Sequence, residues 1–496
     1  MTALSPSGQA SGMIDPRPVG YILGLLVATL GVLMLLPMAL DLATGNPHWM
    51  SFAESATISA LAGALLALAC ANGRRQGMGL SLQQSFLLTT GAWVVMPFFG
   101  ALPFMLGQPD AGVTDAMFEA MSGFTTTGTT VFVGLDRLPL GTNLWRGMLQ
   151  WLGGLGIVIV AMIFLPVMKV GGMQFFRSEG FDTLGKILPR ALDISKALIQ
   201  IYLVLTMACV LTYLALGIPL FEAVVHALTT VSTGGFSSSD RSFGLFQGPA
   251  EYACAVFMLL ASLPFVRFVQ LAQGEVLPLW RDPQVRAYLR WNLYAIAMIL
   301  IYEIVSRGAP ILPTLRETTF NVVSTFSGTG FASVDLSLWG TFPFVMLIVV
   351  GLIGGCTSST GCSVKVFRYL ILLEAIKVQI RRLQSPSAVI FVDYEGRRVG
   401  EDVINAVILF FTMFILSFGV LSVLLSLTGL QTKTAITAAW TAIANVGPVF
   451  GPEVSSTGAV DRFPDSAKWM MILGMLVGRL ELLSVYVLFM RRFWRG

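Results

Sequence analysis

Apolar stretches long enough to cross a membrane recur along the whole chain. A spanning helix needs roughly 20 mostly apolar residues. Ten segments meet this requirement, near residues 19–41, 54–72, 82–106, 144–168, 192–216, 250–273, 288–306, 338–382 (long and interrupted), 403–429 and 466–490. The first is too long for the apolar part of a signal peptide, so we expect the protein to retain it. The pattern predicts an all-α polytopic membrane protein.

Composition supports this class and excludes several others. The 496 residues are 55% hydrophobic and only 12% charged, whereas soluble domains carry about 25% charged residues. A net charge of +4 gives no reason to expect nucleic acid as a partner. The five cysteines and two histidines lack the spacing of a disulfide framework or a metal site, so we expect no organic cofactor and no enzymatic centre.

Positive residues are distributed unevenly between the two sides of the predicted helices. If the N-terminus is cytoplasmic and the sides alternate, 22 of the 31 Lys and Arg residues lie inside and eight outside. Cytoplasmic loops carry an excess of Lys and Arg, so this bias predicts that both termini are cytoplasmic.

The external connections between paired helices follow a second pattern. Each begins with a short amphipathic segment and ends in a Gly, Thr and Ser cluster, which is typical of a half-helix that re-enters the membrane. The clusters are centred on Gly128, Gly234, Gly330 and Gly447, which are 106, 96 and 117 residues apart. This repeat predicts four units of helix, pore helix, filter and helix around a pseudo-fourfold pore, preceded by two extra helices.

The chain therefore divides into five predicted segments. A two-helix extension (1–78) precedes four pore repeats at 79–175, 176–276, 277–390 and 391–496. Within the last repeats, residues 385–400 show strand-like alternation and predict a short cytoplasmic hairpin. With the nearby basic residues the hairpin forms either a docking surface for a regulatory protein or plain positive-inside charge.

The ends of the four pore segments favour a monovalent cation bound by backbone oxygens. A strand of Thr or Val and Gly can turn its carbonyls inward and replace the water around the ion. The C-terminal ends of the pore helices add partial negative charge. Calcium or magnesium would require carboxylates, which these clusters lack. The candidate ligands of the ion are Thr126, Thr127, Gly128, Ser232, Thr233, Gly234, Gly328, Thr329, Gly330, Asn445, Val446 and Gly447.

Residues 351–363 interrupt the eighth apolar segment with glycine and hydroxyl residues. Unwound backbone inside a membrane is tolerated only where it lines a cavity or is buried in protein. The segment is therefore either a packed kink or a flexible gate below the filter. The candidate gating residues are Gly354, Gly355, Thr357, Ser358, Ser359, Thr360, Gly361, Lys365 and Arg479.

Charged residues within the predicted helices need a specific reason, because a charge at this depth is costly. Arg479 forms either a structural ion pair or a positive barrier in the cavity below the filter. Glu481 points to another side of the helix, and the sequence does not identify its partner. Lys365 is either an anchor at the cytoplasmic end or an element of the gate.

Four carboxylates and one histidine near the pore segments have two interpretations each. Glu119 and Glu222 either cap pore helices or draw cations to the mouth. Asp240 and Asp335 follow filters and either enrich cations there or form turns. His226 is either packed in a pore helix or part of a proton relay.

Taken together, these motifs resemble the TrkH/KtrB branch of the Trk/Ktr/HKT potassium transporters. The matching stretches are Ser-Gly-Phe-Thr-Thr-Thr-Gly128, Thr-Val-Ser-Thr-Gly234-Gly-Phe-Ser, Ser-Gly-Thr-Gly330-Phe, Ala-Asn-Val-Gly447-Pro and the interrupted segment from Gly354 to Arg368. The two extra N-terminal helices point to the TrkH type. The fourth filter departs from the pattern, because it carries Asn445-Val446-Gly447-Pro448 rather than a Thr-Gly.

The resemblance implies potassium uptake across a bacterial inner membrane, with potassium as the transported substrate. It also implies a homodimer surrounded by lipid, with a gating loop at 351–363 and a cytoplasmic nucleotide-binding regulatory subunit of the TrkA/KtrA type. Glycine at the first filter position, Gly128, implies a preference for potassium over sodium. Two alternatives stay open: a proton- or sodium-coupled potassium symporter, and a sodium-permeable monovalent cation transporter.

Overall fold

A pair of tightly packed helices opens the chain. The structure is a computed structural model that describes residues 14–73, 80–163, 168, 170–173 and 191–495. Helices α1 (Arg17–Leu33) and α2 (Leu35–Ala43) form one span, and α3 (Trp49–Ala69) returns beside them. A side chain at Gly24 or Gly63 would lie within 3 Å of backbone atoms of the facing helix. Small residues therefore let the two backbones approach closely.

Four units of similar build follow this pair. The first contains α4 (Leu82–Gly100), α5 (Leu102–Leu106), the pore helix α6 (Val113–Phe124) and α7 (Leu140–Ile163). The second contains α8 (Ala191–Ala215), the pore helix α9 (Leu220–Val231), α10 (Pro249–Ala261), α11 (Phe265–Ala272) and α12 (Leu277–Arg281). The boundaries predicted at 78/79 and 175/176 fall outside the described residues.

The third and fourth units follow in the same order. The third contains α13 (Pro283–Arg307), the pore helix α14 (Ile311–Ser327), α15 (Thr341–Ile353) and α16 (Val366–Gln384). The fourth contains α17 (Glu401–Leu427), the pore helix α18 (Thr432–Ala444), α19 (Asp465–Arg479), α20 (Leu483–Tyr486) and α21 (Arg491–Arg495). Short 3-10 helices lie at Ala71–Gly73, Leu135–Arg137, Val170–Gly172, Ser242–Leu245, Leu336–Trp339 and Val487–Phe489.

Membrane-spanning helices match the predicted segments closely. In the described parts of the chain, seven spans are long and apolar enough to cross a membrane, and two more arise if each of two bent helix pairs is one span. These nine coincide with nine of the ten predicted segments. The remaining predicted segment, the eighth, near 338–382, is divided into α15 and α16 by the irregular residues 354–365, which confirms that this span is interrupted.

Burial separates the lipid-facing helices from the central ones. Apolar residues such as Leu65, Val204 and Ile415 are about two-thirds exposed, at 66%, 68% and 65%. Most of the residues of the pore helices are buried instead. An apolar surface of this extent requires a hydrocarbon environment, which identifies a multi-pass membrane protein.

A small hairpin is the one sheet among the described residues. Strands β1 (Asp393–Tyr394) and β2 (Arg397–Arg398) pair antiparallel, with Asp393 opposite Arg398 and Tyr394 opposite Arg397. The hairpin predicted for residues 385–400 is therefore present. Its apolar residues Val392 and Val399 pack into the same buried cluster as residues of α16 and α17.

Candidate functional site: the pore loops and the intramembrane loop

All four pore helices end in the same backbone conformation. The first or second residue after each helix end adopts the left-handed region, with φ of 52° at Thr126, 52° at Thr233, 78° at Gly328 and 52° at Asn445. A left-handed residue commonly terminates a helix because it satisfies the last carbonyls. The next N–H then bonds to the carbonyl five residues earlier. These bonds are Thr127 to Ser122 (2.9 Å), Gly234 to Thr229 (2.8 Å), Thr329 to Ser324 (2.9 Å) and Val446 to Thr441 (3.3 Å).

One residue further, four glycines form a closed ring. Gly128, Gly235, Gly330 and Gly447 have φ of 89°, 77°, 80° and 109°, which L side chains rarely adopt. A Cβ on Gly447 would lie 2.9 Å from the carbonyl oxygen of Thr127, in the first unit. A Cβ on each of the other three glycines would lie still closer to a carbonyl oxygen of the next unit. The pairs are Gly128 with Gly234, Gly235 with Thr329, and Gly330 with Val446. Each glycine therefore makes room for a carbonyl of its neighbour.

This ring corrects the predicted register of the second filter. The predicted triplet was Ser232, Thr233 and Gly234, but the backbone places Thr233, Gly234 and Gly235 opposite the other three triplets. The structural spacing of the ring glycines is thus 107, 95 and 117 residues. The other predicted triplets lie in register: Thr126, Thr127 and Gly128; Gly328, Thr329 and Gly330; and Asn445, Val446 and Gly447. Two consecutive glycines in the second filter made the register ambiguous from the sequence alone.

Gln150 on α7 holds the second filter from behind. Its amide nitrogen donates to the carbonyl of Gly234 at 2.6 Å, and its amide oxygen accepts from the N–H of Phe236 at 3.0 Å. The side chain fills the space that a Cβ on Gly234 would need. Sequence reasoning missed this residue, since it lies 84 positions from its partner.

We expect Gln150→Leu to lower the potassium-to-sodium flux ratio about five-fold, because it removes two bonds that position the filter, and a loss of about 1 kcal/mol in relative binding free energy, the typical net contribution of one such bond, corresponds to this factor. The measurement is the ratio of potassium and sodium flux in liposomes. Gln247→Leu is the matched control, since that amide also donates to a carbonyl, Ser333, but outside the ring. Equal ratios in wild type and Gln150→Leu would contradict the role of Gln150.

The unusual fourth filter is stabilised by its asparagine. Asn tolerates the left-handed conformation better than most residues. Its amide nitrogen also donates to the hydroxyl of Thr127 at 2.8 Å and to the carbonyl of Met475 at 3.1 Å. The hydroxyl of Thr129 donates to the carbonyl of Gly447 at 2.6 Å. Side chains therefore link the first and fourth filters directly.

The carboxylates around the outer mouth have mostly structural partners. Glu119 lies within α6, fully buried, and its carboxylate accepts from Arg146 Nε at 2.8 Å and from the N–H of Val131 at 3.0 Å. It therefore neither caps the helix start nor faces the mouth. Arg146 also donates to the carbonyl of Ser237 at 2.6 Å, joining the first two units. Sequence reasoning missed Arg146.

Two further carboxylates and the histidine are also hydrogen-bonded. Asp240 accepts from the N–H groups of Gly134 and Leu135, at 2.8 and 3.0 Å, and Asp335 caps a short helix by accepting from Ser337 at 2.9 Å. His226 is fully buried, with Nδ1 at 2.9 Å from the carbonyl of Glu222 and Nε2 at 3.0 Å from Ser237 Oγ. These contacts support the packed interpretation of the histidine.

The mouth is a cavity lined by both polar and apolar residues. A cavity of about 680 Å³ lies between the outer loops of units two to four, bordered by Asp240, Asp335 and Lys433. Beside it, burial slightly opposes ionisation of Glu453. Hydrogen bonds from the Thr434 hydroxyl and the Gln431 N–H outweigh this effect and hold the pKa of Glu453 below its ordinary value. Glu453 therefore stays negatively charged beside this cavity.

Residues 354–365, here called the intramembrane loop, lie under the filters. All twelve are buried. The Thr360 hydroxyl donates to the carbonyl of Val231, at the end of the second pore helix, at 3.1 Å. The sulfur of Cys362 is 3.7 Å from the Thr126 hydroxyl, and a Cβ on Gly361 would lie 3.2 Å from the carbonyl of Ser327. The loop thus touches the ends of three pore helices.

The same loop also explains the sharp bend between α10 and α11. The N–H of Cys356 bonds to the carbonyl of Ser262 at 2.9 Å, and Thr360 donates from both N–H and hydroxyl to Ala261. The N–H of Phe265 in turn bonds to the carbonyl of Ser358 at 2.9 Å. These bonds satisfy the helix ends that the 93° bend leaves open.

The loop is itself strained at several positions. Ser358, Ser363 and Lys365 have φ of 56°, 69° and 75°, and Gly354 has φ of 78°. Such conformations cost of order 1–3 kcal/mol for non-glycine residues and tend to occur at functional sites. The hydroxyl and glycine residues predicted to form the gate all lie in this loop. Cys362 lies among them, although sequence reasoning did not select it.

Arg479 lies against this loop and is held there by neutral hydrogen-bond acceptors. Its guanidinium donates to the carbonyls of Thr360 and Gly153, at 3.3 and 3.4 Å, and to the sulfur of Cys362. Across the described ranges, no carboxylate lies within ion-pair distance of it. It is only 3% exposed. A buried cation therefore lies below the ring of glycines.

Glu481, two residues later, belongs to a different cluster. It pairs with Lys365 Nζ at 3.1 Å and with Arg368. Lys365 is thus a buried partner of this carboxylate rather than an exposed anchor, and the ion pair predicted as one option for Arg479 does not form with Glu481.

These features together define a class of protein. One chain folds four re-entrant loops around a single ring of glycines, above an unwound intramembrane segment, which is the architecture of a multi-pass cation transporter and not of an enzyme. The chain belongs to the TrkH family, described as cation transport proteins, whose profile matches residues 48–495.

Individual relatives are similar over almost their full length. The potassium uptake protein TrkI of the Trk system from Halomonas elongata is 38% identical over 96% of this chain and 97% of its own length. Its counterpart TrkH from Escherichia coli K12 is 34% identical over 97% of this chain and 99% of its own length. The crystal structure of the potassium transporter TrkH from Vibrio parahaemolyticus superposes with a TM-score of 0.89 at 32% identity, covering 97% of this chain and 100% of that one.

Proposed function

We propose that this protein takes up potassium ions through the ring formed by its four filters. The observation that carries the proposal is the closed sequence of contacts in which each ring glycine borders a carbonyl of the next unit. Such carbonyls replace the hydration shell of a monovalent cation. The names of the relatives, all potassium uptake proteins or transporters, support the choice of potassium.

The twelve predicted filter residues, with Gly235 added, are the proposed ligands and their immediate support. Thr127, Gly234, Thr329 and Val446 carry the carbonyls that border the ring glycines. Thr126, Thr233, Gly328 and Asn445 end the pore helices and direct their negative poles toward the same ring. No carboxylate belongs to the ring, which favours a monovalent over a divalent ion.

Gating is proposed to use the intramembrane loop and Arg479 together. The loop contacts the ends of three pore helices, so an ion leaving the filter meets it first. Arg479 is held by two contacts with the loop and one with Gly153 of α7, and it presents a positive charge there. Transport would then require the loop to move and carry the arginine out of the path. The part of the loop that moves consists of four hydroxyl residues and three glycines, namely Thr357, Ser358, Ser359, Thr360, Gly354, Gly355 and Gly361.

The setting of the protein is proposed from the sequence and its resemblance. We place it in a bacterial inner membrane, among lipid, with both termini cytoplasmic and as a homodimer. The relatives are named as parts of a Trk system, and a cytoplasmic nucleotide-binding regulatory subunit of the TrkA/KtrA type is proposed to control the loop.

Ion flux into liposomes tests the proposed function. We expect the purified chain to carry potassium and rubidium down their gradients in either direction and to carry little sodium, at equal and clamped pH. Equal flux of all three ions would reject potassium selectivity. Flux that requires a proton or sodium gradient would identify a coupled symporter instead.

A further inference from the structure

The hairpin after α16 ends in an unusual turn. Its two central residues, Glu395 and Gly396, have φ of 54° and 72°, as a type I′ turn requires. Asparagine or glycine suits the first of these positions, and a glutamate there is disfavoured. Local turn preference therefore does not account for Glu395.

The carboxylate of Glu395 reaches back to the bent helix pair. Its Oε1 lies 3.7 Å from Nη2 of Arg267 on α11, and both side chains are about 85% buried, with exposures of 14% and 16%. Arg267 Nε also donates to Asp282 Oδ2 at 2.8 Å. The turn is thereby tied to the start of α13, whose N-cap residue is Asp282.

Asp282 in turn fixes the residue that contacts the intramembrane loop. Its Oδ1 accepts from the N–H of Gln284 at 2.9 Å. Gln284 is 2% exposed, and its amide oxygen accepts from both the N–H and the hydroxyl of Thr357, each at 3.0 Å. The buried side chain of Gln284 thus binds both hydrogen-bond donors of Thr357, a residue of the loop.

The hairpin also contacts the helix that follows the loop. Tyr394 is 6% exposed and belongs to the same buried cluster as Phe367 and Ile371 of α16. The hairpin is therefore connected to the loop by two indirect routes, one through α16 and the other through Arg267, Asp282 and α13.

We propose that Gln284 is a positioning residue through which the hairpin sets the state of the intramembrane loop. A displacement of Glu395 removes one partner of Arg267, which weakens the hold of Arg267 on Asp282 and frees Thr357 from Gln284. The hairpin is then the part of this chain through which a change on the cytoplasmic side alters the intramembrane loop. The inference rests on the proposed gating role of the loop, but its first test does not require transport.

Native cysteines in the loop report its opening directly. Cys356 is fully buried, and Cys254 behind the second pore helix is equally buried and far from the loop in sequence. The full-length protein in liposomes is treated with N-ethylmaleimide, and the labelling rate at each cysteine is measured by mass spectrometry. Wild type is compared with Glu395→Asn, which suits the turn but lacks the carboxylate, and with Gln284→Leu.

We expect both variants to label Cys356 roughly five-fold faster than wild type, the lower end of coupling between linked sites, with Cys254 unchanged. Asp393→Asn is the matched control, because it removes an exposed carboxylate from the same hairpin. Gln284→Glu keeps an acceptor for Thr357 and is expected to restore the wild-type rate. Unchanged labelling of Cys356 in Glu395→Asn, or equal acceleration in Asp393→Asn, would overturn the proposal.

The double variant tests whether the two residues act in one chain of contacts. Independent distant sites have additive effects, whereas linked sites do not. We expect the Glu395→Asn, Gln284→Leu double variant to match the larger single effect, both in labelling and in potassium flux. Additive effects would overturn the link. If wild type itself carried no potassium, the proposed function would fail while the labelling result still decided the link.

Discussion

Gly330→Ser is expected to admit sodium, lowering the potassium-to-sodium flux ratio about tenfold, which corresponds to about 1.4 kcal/mol of relative binding free energy. Gly330 has φ of 80°, and an added Cβ would meet the carbonyl oxygen of Val446. The filter must therefore widen or twist at this level, and its carbonyls can no longer surround the larger, readily dehydrated ion in the same way. Flux of rubidium and sodium tracers into liposomes measures the ratio.

A matched glycine in the same unit separates a filter effect from backbone strain. Gly340 has φ of 89°, but a Cβ there meets nothing within 4 Å. Gly340→Ser imposes a similar conformational cost on an outer connection and is expected to leave the ratio unchanged. An unchanged ratio in a folded Gly330→Ser protein, or an equal loss in Gly340→Ser, would contradict the assignment of the ring.

The architecture could be predicted because its signals are local and repeated. Apolar length marks the spans, and a glycine-ended cluster marks each re-entrant loop, so both features are visible within short windows of sequence. The interruption of the eighth apolar segment was equally visible, because glycine and hydroxyl residues replace apolar ones at Gly354 to Ser363. Each of these signals reflects a conformation that the local backbone must adopt, and the structure shows that conformation at each place.

The register of the second filter could not be predicted in the same way. Gly234 and Gly235 are adjacent, and either could occupy the ring. The choice is made by the hydrogen bond from the N–H of Gly234 to Thr229 and by Gln150, which occupies the side-chain space of Gly234. Both constraints exist only once the pore helix and α7 are packed together.

Long-range polar partners were beyond sequence reasoning for a related reason. Glu119 was visible as a carboxylate in a pore segment, but its pairing with Arg146 depends on the packing of α6 against α7. Glu481 and Lys365 are 116 positions apart, and their contact requires α19 to lie beside the loop. Sequence indicates that a buried charge needs a partner, and only the fold identifies it.

Removing the charge of Arg479 is expected to raise basal potassium flux through the protein alone. Two unit charges ~8 Å apart interact by about 2 kcal/mol at an effective dielectric constant of ~20. A barrier lowered by this amount increases the rate roughly thirty-fold. We therefore expect Arg479→Gln to raise flux roughly thirty-fold, measured with rubidium tracer in liposomes.

The surroundings of Arg479 make this variant informative. Glu481 keeps both of its partners, Lys365 and Arg368, so no carboxylate loses its counterion when the charge at 479 is removed. Arg479→Lys is the control, because it keeps the charge while losing the fork that contacts Thr360 and Gly153 together. If Arg479→Lys retains low flux while Arg479→Gln does not, the charge closes the path. If both variants conduct equally, the contacts of the fork hold the loop shut instead, and reduced flux in a folded Arg479→Gln protein would reject both roles.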